Sequence, residues 1–317
     1  MREPRTLILV MIVMVLLGTA SAVTFFLQRR TDSGLDPAMV ESFRTRIRAW
    51  WILLTVLAAA FLIGKGATVF LFWAVSFWAF REFITLTPTR PADHRTLFCV
   101  FLFCTPAQFI LVWLDQYQLY SILIPVYAFL LIPAAIALSG DSKRFLERTA
   151  KIQAGLLICI YCLSYAPALL TLKINPPRNV SLLFFFILMV QLGDVFQYAW
   201  SQLPSKHAIV PTINPSKTWE GLLGGTATAA LLGAALYWAT PFPPWMAALM
   251  SLVVALMGAA GSLTMSAIKR DRGVKDYGTL VEGHGGVLDR IDSICFAAPV
   301  FFHFTLYFTQ YYPGPVK

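Results

Sequence analysis

The sequence predicts an all-α, polytopic integral membrane protein with about ten transmembrane helices. Of its 317 residues, 58% are hydrophobic and 13% are charged, and the mean hydropathy is +0.68. The apolar residues gather into runs about as long as a bilayer is thick. This composition excludes a soluble globular domain. No loop exceeds about twenty residues, which assigns residues 1–317 to a single transmembrane domain.

The apolar runs define the predicted helices. They lie at residues 6–27, 49–64, 67–86, 96–114, 119–139, 152–172, 180–200, 221–240, 245–268 and 291–312. Four prolines inside these runs, Pro106, Pro125, Pro133 and Pro167, predict kinks or broken helices. The small-residue pairs Gly224-Gly225 and Gly258-x-x-Gly261 predict close helix packing.

The distribution of basic residues predicts the orientation of these helices. The alternate loops 28–48, 87–95, 140–151, 201–219 and 269–290 carry 18 Lys and Arg residues, and the opposite side carries 6. By the positive-inside rule these loops face the cytoplasm and both termini face away from it. The first run follows Arg2 and Arg5 and ends in Ala20-Ser21-Ala22, so it also resembles a signal peptide; a retained helix is favoured.

Several features have a structural explanation that competes with a functional one. The net charge of +9 is explained by anionic lipid headgroups, because the basic residues gather on one membrane face without an RNA-binding pattern. All five cysteines lie in apolar runs, where a buried hydrophobic role is favoured over a metal or redox pair at Cys159-x-x-Cys162. For Arg81-Glu82 a structural ion pair is favoured over a place in a substrate cavity.

The segment 266–292 is unlike the rest of the chain. Its 27 residues include five basic residues, five acidic residues, one His and five Gly. Lys269, Arg270, Arg272 and Lys275 can neutralise phosphate oxygens, whereas the carboxylates of Asp276, Asp289 and Asp292 can hold a divalent cation. This composition predicts a site for a multiply charged phosphate substrate and disfavours an inert charged loop.

The glycines of this segment, Gly283, Gly285 and Gly286, flank His284. They permit a tight turn or the presentation of N–H groups to an anion, since glycine accepts a positive φ at little steric cost. Asp289 and Asp292 are three residues apart and share one face if LDRID is helical.

Two upstream features also predict a site. Asp194 lies inside an apolar run, where a carboxylate usually faces a polar cavity or binds a cation. The loop from Ile213 to Gly221 opens the next helix, with Asn214 or Ser216 as its cap. Together with Lys217, the N–H groups of that helix would form an anion site.

The two segments resemble the phosphatidate cytidylyltransferase (CDP-diacylglycerol synthase) family. The carboxyl-terminal motif of the family corresponds to Ser266, Lys269, Arg270, Lys275, Asp276, His284, Gly285, Gly286, Asp289, Arg290 and Asp292. Its upstream element, an intramembrane Asp followed by Ser-Pro-x-Lys-Thr-x-Glu-Gly, is similar to Asp194 and Asn214–Gly221. This chain departs from the pattern at Gly193, Asn214, Val281 and Glu282, which leaves the lipid acceptor open.

The resemblance implies transfer of CMP from CTP to phosphatidate, giving CDP-diacylglycerol and pyrophosphate in phospholipid biosynthesis. It implies residues 1–172 as mainly scaffold and 173–317 as the catalytic portion. The ten-helix orientation puts the loops 201–219 and 269–290, and with them the site, on the cytoplasmic side of a bacterial-type inner membrane. The resemblance suggests a homodimer.

The resemblance also implies roles for the site residues. Catalytic roles fall to Asp276, Asp289, Asp292, Lys275 and His284. Substrate binding falls to Lys217, Ser216, Thr218, Lys269, Arg270, Arg290, Gly285 and Gly286. The expected ligands of Mg²⁺ are Asp276, Asp289 and Asp292, together with Asp194 or Glu220. Whether a second cation binds is left open.

Two other functions remain as alternatives. A CTP-dependent lipid kinase, or a cytidylyltransferase for another lipid phosphate, would use similar membrane placement and metal chemistry. A transporter would line a pathway with Asp194 and the Arg81-Glu82 pair, but no convincing internal repeat is visible and the phosphate motif would have no role.

Overall fold

The computed structural model describes residues 4–29, 51–52, 54–87, 89–174, 178–203, 207–278 and 285–311. The helices in this part of the chain are α1 (Pro4–Arg29), α2 (Leu54–Ile63), α3 (Lys65–Leu86), α4 (Pro91–Trp113), α5 (Tyr117–Leu138), α6 (Phe145–Thr171), α7 (Asn179–Trp200), α8 (Trp219–Ala235), α9 (Pro244–Asp271) and α10 (Leu288–Tyr311). An antiparallel hairpin of β1 (Ala208–Val210) and β2 (Asn214–Thr218) lies between α7 and α8. The predicted all-α membrane class is confirmed.

Seven of the described helices are long and apolar enough to cross a membrane: α3 to α7, α9 and α10. They correspond to seven of the ten predicted runs. The other three runs fold as α1, α2 and α8, but the apolar stretches of α1 and α2 are shorter and α8 has 17 residues. The total of ten transmembrane helices therefore stays a prediction.

The chain divides into two compact units, residues 1–68 and 69–317. In the first unit, Trp51 Nε1 donates a hydrogen bond to Ser21 Oγ (3.1 Å) and so joins α1 to the residues before α2. Gly64, with φ of +127°, separates α2 from α3. All the site residues described below lie in the second unit. The assignment of one domain, with scaffold and catalytic portions, stays a prediction.

Close packing in the second unit brings α7, α8, α9 and α10 together. Helix α8 packs against both α7 and α9, and α9 packs along α10. A Cβ atom at Gly225 would lie 2.6 Å from Gln197 Cα, and one at Gly261 would lie 2.7 Å from the carbonyl oxygen of Asp292. Gly224 and Gly258 likewise face Trp200 and Ser293. The predicted role of both glycine pairs is confirmed, and it brings the polar positions of α7 and α10 next to their neighbours.

Helices α4, α5 and α6 each contain a π-helical turn, at Val100–Cys104, Leu123–Ala128 and Leu156–Cys162. The first lies just before Pro106, the second contains Pro125 and the third lies just before Pro167. Proline has no N–H to donate, so the helix near it departs from regular α geometry. Pro133 instead lies in the regular segment Phe129–Leu138. The predicted interruptions are therefore found near three of the four prolines.

A buried ion pair connects the polar ends of α4 and α6. Arg148 and Asp93 are 4% and 0% exposed, and their side chains are in contact at 2.5 Å. Arg148 Nη1 also donates to the carbonyl oxygens of Asp141 (2.9 Å) and Lys143 (2.8 Å), which fixes the loop between α5 and α6. Sequence reasoning did not single out either partner of this pair.

Candidate active site

The charged segment joins the end of α9 to the start of α10. Helix α9 carries Ser266, Lys269 and Arg270, and the first turns of α10 carry Asp289, Arg290 and Asp292. The LDRID sequence is helical as predicted, so its two aspartates share a face. Between the helices, Lys275 and Asp276 are exposed. His284, with Glu282 and Gly283, lies outside the described residues.

Asp289 organises the connection between these helices. Its Oδ1 accepts a hydrogen bond from Lys269 Nζ at 2.7 Å, and the two side chains are 9% and 16% exposed. Its Oδ2 accepts the backbone N–H groups of Tyr277 (2.8 Å) and Gly286 (2.9 Å). A carboxylate predicted to bind metal and a lysine predicted to bind phosphate therefore form an ion pair that fixes the loop.

The glycines before α10 allow carboxylates to approach the backbone. Gly285 has φ of +80°, and a Cβ atom there would lie 2.8 Å from Asp289 Oδ2 and 3.3 Å from Asp276 Oδ1. At Gly286 a Cβ atom would lie 2.4 Å from Glu82 Oε2. The predicted tight turn is present. The anionic groups next to its glycines are carboxylates of the protein, those of Asp289, Asp276 and Glu82.

Tyr277 is buried beneath this loop. Its hydroxyl donates to the carbonyl oxygen of Met265 (3.0 Å), and Lys269 Nζ lies 5.5 Å from the ring centroid. Burial, with nearby Cys159 and Asp289, raises the pKa of Tyr277. The phenol therefore stays protonated near neutral pH and acts as a hydrogen-bond donor.

Glu82 of α3 reaches the start of α10. Its Oε1 accepts the N–H of Val287 (3.0 Å), its Oε2 accepts the N–H of Leu288 (2.8 Å), and the residue is 5% exposed. In the described structure Glu82 does not pair with Arg81, whose guanidinium lies over the Trp78 ring at 4.9 Å. The favoured ion pair between Arg81 and Glu82 is therefore wrong. The signal that could have pointed to Glu82 is an acidic residue inside an apolar run.

A second polar group forms where α7, β2 and α10 meet. Lys217 Nζ lies 3.8 Å from Asp194 Oδ1 and 3.4 Å from Gln197 Oε1. Asp194 interacts electrostatically with Asp292, whose Oδ1 accepts the backbone N–H of Ser293 (2.7 Å). The structure thus brings the intramembrane aspartate, the hairpin lysine and the last aspartate of the motif together, although they are widely separated in sequence.

A cavity of about 250 Å³ opens beside this group. Its polar end is formed by Asp194, Gln197, Ser216 and Lys217. Most of its remaining surface is apolar, and α9 contributes Leu256, Ala259, Ala260 and Leu263 to it. A cavity with one charged end and an apolar wall suits an amphipathic ligand whose headgroup is anionic.

The hairpin is attached to α9 by motif residues. Asn214 Nδ2 donates to Ser266 Oγ (3.2 Å), and Arg270 Nε donates to the carbonyl oxygen of Ile213 (3.2 Å). Asn214 Oδ1 accepts from the Ser216 hydroxyl (2.7 Å). Three residues of the two motif segments, Asn214, Ser266 and Arg270, thus help to hold the hairpin against α9.

The predicted cap of α8 is wrong. The cap is Thr218, whose Oγ1 accepts the Gly221 N–H (3.0 Å), whereas Asn214 and Ser216 lie in β2. A threonine hydroxyl three residues before the donor has the geometry of a normal N-cap, and the β-strand places the two earlier residues too far back.

Glu220 lies apart from the aspartates. Its Oε1 contacts His207 Nδ1 at 2.5 Å and its Oε2 accepts the His207 N–H (3.1 Å). The His207 side chain, together with backbone N–H donors, lowers the pKa of Glu220 to about 2. The carboxylate therefore fixes the start of the hairpin to the start of α8.

The described residues contain no group of three or more His, Cys, Asp or Glu side chains arranged around one point as metal ligands. The five cysteines are all free thiols, so Cys159 and Cys162 form no disulfide. Two pairs of predicted ligands are nevertheless brought together, Asp194 with Asp292 and Asp276 with Asp289. The individual roles predicted for these residues remain proposals.

Comparison with known proteins supplies the family. A family model described as the cytidylyltransferase family matches residues 44–308. The chain belongs to the cytidylyltransferase family. It is therefore a membrane nucleotidyltransferase, and the family implies a nucleoside triphosphate and a lipid phosphate as substrates.

Relatives of this cytidylyltransferase differ in how much of the chain they match. The uncharacterized protein YnbB of Escherichia coli (strain K12) is 35% identical over 83% of this chain and 87% of its own length. The phosphatidate cytidylyltransferase of Mycobacterium leprae is 38% identical over 41% of this chain and 42% of its own. That of Staphylococcus saprophyticus is 28% identical over 59% of this chain and 69% of its own. The membrane nature and the bacterial relatives agree with the predicted localisation, whereas sidedness and the homodimer stay predictions.

Proposed function

We propose that this cytidylyltransferase transfers CMP from CTP to phosphatidate, forming CDP-diacylglycerol and pyrophosphate for phospholipid biosynthesis in a bacterial inner membrane. One observation carries the proposal. Asp194 and Lys217 lie at the polar end of a cavity whose apolar lining includes residues of the membrane-spanning helix α9, and Asp292 interacts electrostatically with both of them. That arrangement suits the phosphate headgroup and the acyl chains of one lipid. Relatives named phosphatidate cytidylyltransferase support the choice of acceptor.

Asp194 and Asp292 fit a divalent cation better than the other predicted ligands. They lie on two membrane-spanning helices and repel each other, with Lys217 at 3.8 Å from Asp194 as a partial counter-charge, so a divalent cation near both would offset the remaining repulsion. Mg²⁺ is often held by one or two carboxylates while phosphates and water fill its other positions. Asp289 is already bonded to Lys269 and two backbone N–H groups, and Glu220 to His207. When bound, Mg²⁺ would neutralise charge on the phosphates.

The remaining residues position and neutralise the substrates. A phosphatidate oxygen forms a bond to the α-phosphorus of CTP as the bond to pyrophosphate breaks. Because the acceptor phosphate is already ionised, the reaction needs no strong base and depends on positioning. Lys217 lies where it could contact the lipid phosphate. Lys275 is exposed in the connection before α10 and Arg290 lies in the first turn of α10, and we assign both to the triphosphate. A cytoplasmic location of this loop would give it access to CTP.

The test is turnover by the purified full-length protein in mixed micelles that contain Mg²⁺, phosphatidate and CTP labelled on the α-phosphate. We expect label in the lipid phase, release of pyrophosphate, loss of both with EDTA and recovery with added Mg²⁺. Label from γ-labelled CTP on a lipid alcohol, with release of CDP, would instead establish the lipid kinase. Transfer only to another lipid phosphate would retain the nucleotidyl transfer and overturn the acceptor.

A further inference from the structure

The carboxylate of Glu82 is bound to the first turn of α10, although 205 residues separate it from Val287. Both carboxylate oxygens are used, one on the N–H of Val287 and the other on the N–H of Leu288. Glu82 lies on α3, outside both segments that resemble the family motif. A residue that sequence reasoning assigned to the scaffold therefore contacts the helix that carries Asp289 and Asp292.

Helix α10 needs this distant carboxylate because its own sequence supplies no usual cap. The first N–H groups of a helix have no partner within the helix, and Ser, Thr, Asp or Asn normally accepts from them. Here the residues before Leu288 are Gly285, Gly286 and Val287, which have no side-chain acceptor. The carboxylate of Asp289 points back to the N–H groups of Tyr277 and Gly286. Glu82 fills the missing position and also places a negative charge at the positive end of the helix.

The glycines around Glu82 leave room for its carboxylate and for little else. A Cβ atom at Gly278 would lie 2.8 Å from Glu82 Oε1, and one at Gly286 would lie 2.4 Å from Oε2. Gly278 and Gly286 approach each other there, since the Cβ position of Gly278 is 3.3 Å from Gly286 Cα. Glu82 thus lies against two separate points of the connection between α9 and α10.

We propose that Glu82 is a positioning residue for nucleotidyl transfer, which fixes the start of α10 and thereby the placement of Asp289 and Asp292. This inference rests on the proposed function. Two carboxylates fix neighbouring parts of this connection: Glu82 accepts the N–H groups of residues 287 and 288, and Asp289 accepts those of residues 277 and 286. Glu82 also occupies the N–H groups at the start of α10, which leaves the substrate phosphates to lysine and arginine side chains. Displacement of a catalytic group by about 1 Å can cost on the order of 100-fold in rate.

The experiment compares Glu82→Gln, Glu82→Ala and the matched control Arg81→Gln in the full-length protein. Arg81 is adjacent on α3, exposed and outside the proposed site. Glutamine keeps the shape and one acceptor oxygen but loses the charge that strengthens both hydrogen bonds. Hydrogen exchange of the peptide containing residues 285–291 measures the contact directly. Steady-state kinetics on the lipid phosphate that the wild type accepts measures its consequence.

We expect exchange of the Val287 and Leu288 amides to become about tenfold faster in Glu82→Gln and faster still in Glu82→Ala. The kcat should fall by about tenfold in Glu82→Gln and by more in Glu82→Ala. The KM values of both variants should stay within about twofold of wild type. Arg81→Gln should change neither. Unchanged exchange in Glu82→Ala would overturn the proposal, and so would a lower melting temperature with normal kcat in the folded fraction. A raised KM with normal kcat would also overturn it, because Glu82 would then contact substrate.

The exchange measurement separates this inference from the proposed function, because it needs no turnover. If the wild type transfers nothing to phosphatidate, the proposed function fails, while faster exchange in Glu82→Gln still supports Glu82 as the anchor of α10. If the wild type is active and exchange is unchanged, the proposed function stands and the role of Glu82 fails.

Discussion

Substitution of Asp289 by Asn tests the loop that joins α9 to α10. Asp289 receives hydrogen bonds from Lys269 Nζ and from the backbone N–H groups of Tyr277 and Gly286. An asparagine of the same shape has one carbonyl oxygen, which can serve the two N–H groups. Its NH₂ group then faces Lys269, so two donors meet and the lysine loses its counter-charge.

The cost follows from the burial of this ion pair. Asp289 and Lys269 are 9% and 16% exposed, and removal of one partner from a buried pair costs about 3 to 5 kcal/mol. The partial exposure of Lys269 places the cost near the lower end, about 3 kcal/mol. Since about 1.4 kcal/mol corresponds to a factor of ten, the equilibrium constant between the native loop and its alternatives should shift roughly 100-fold against the native loop. We expect kcat/KM to fall by at least that factor.

The assay measures label transfer from CTP in micelles together with the melting temperature from tryptophan fluorescence. Asp271→Asn is the control, because Asp271 is 67% exposed and forms a surface ion pair with Arg272. The melting temperature of Asp289→Asn should fall by about 10 °C or less if the loss stays in the loop. The double variant Asp289→Asn/Lys269→Met should recover part of that melting temperature without recovering turnover, since no unpaired charge remains buried.

Two results would refute this reasoning. If Asp289→Asn keeps a third or more of the wild-type kcat/KM, neither the ion pair nor the carboxylate is needed for catalysis. If Asp271→Asn loses as much activity as Asp289→Asn, the effect comes from net charge and not from the loop.

Three further predictions concern the framework. Gly225→Ala should destabilise the protein by about 1 to 3 kcal/mol, because the added Cβ would lie 2.6 Å from the Gln197 backbone. The control is Gly18→Ala, whose added Cβ meets open space. Equal melting temperatures of the two variants would contradict the packing. Asp93→Asn should cost about 3 kcal/mol, because the buried Arg148 would lose its closest carboxylate and keep only that of Asp141 at 3.4 Å, with normal kcat in the folded fraction; a normal melting temperature would exclude this. Thr218→Ala should cost about 1 kcal/mol and Thr218→Ser almost nothing if the hydroxyl acts as a cap; a raised KM in both would indicate a substrate contact instead.

Much of the framework could be predicted from the sequence because its signals are local. The bilayer requires long apolar helices, so the length of each run identifies a span, as seven of the runs show. The small residues at Gly225 and Gly261 predict close helix contact for a similarly local reason. The spacing of Asp289 and Asp292 predicts a shared face once that segment is helical.

The partners of the polar groups could not be predicted in the same way. Spacing alone predicted Asn214 or Ser216 as the N-cap of α8. In the structure these residues lie in the strand β2, α8 begins at Trp219, and Thr218 is the N-cap. Adjacency in sequence suggested a pair of Arg81 with Glu82. Neighbouring residues on a helix point in different directions, so one faces outward and the other faces α10.

The sequence by itself determined the membrane class, the position of most helices and the segment that carries the charged chemistry. Only the tertiary structure decided that Lys217 lies beside Asp194, that Lys269 binds Asp289 and that Glu82 holds the start of α10. The physical reason is the distance along the chain over which each interaction acts. Hydrophobic run length and helical spacing act within a few turns, whereas a buried charge is satisfied by whichever group the packed helices place beside it, at any distance along the chain.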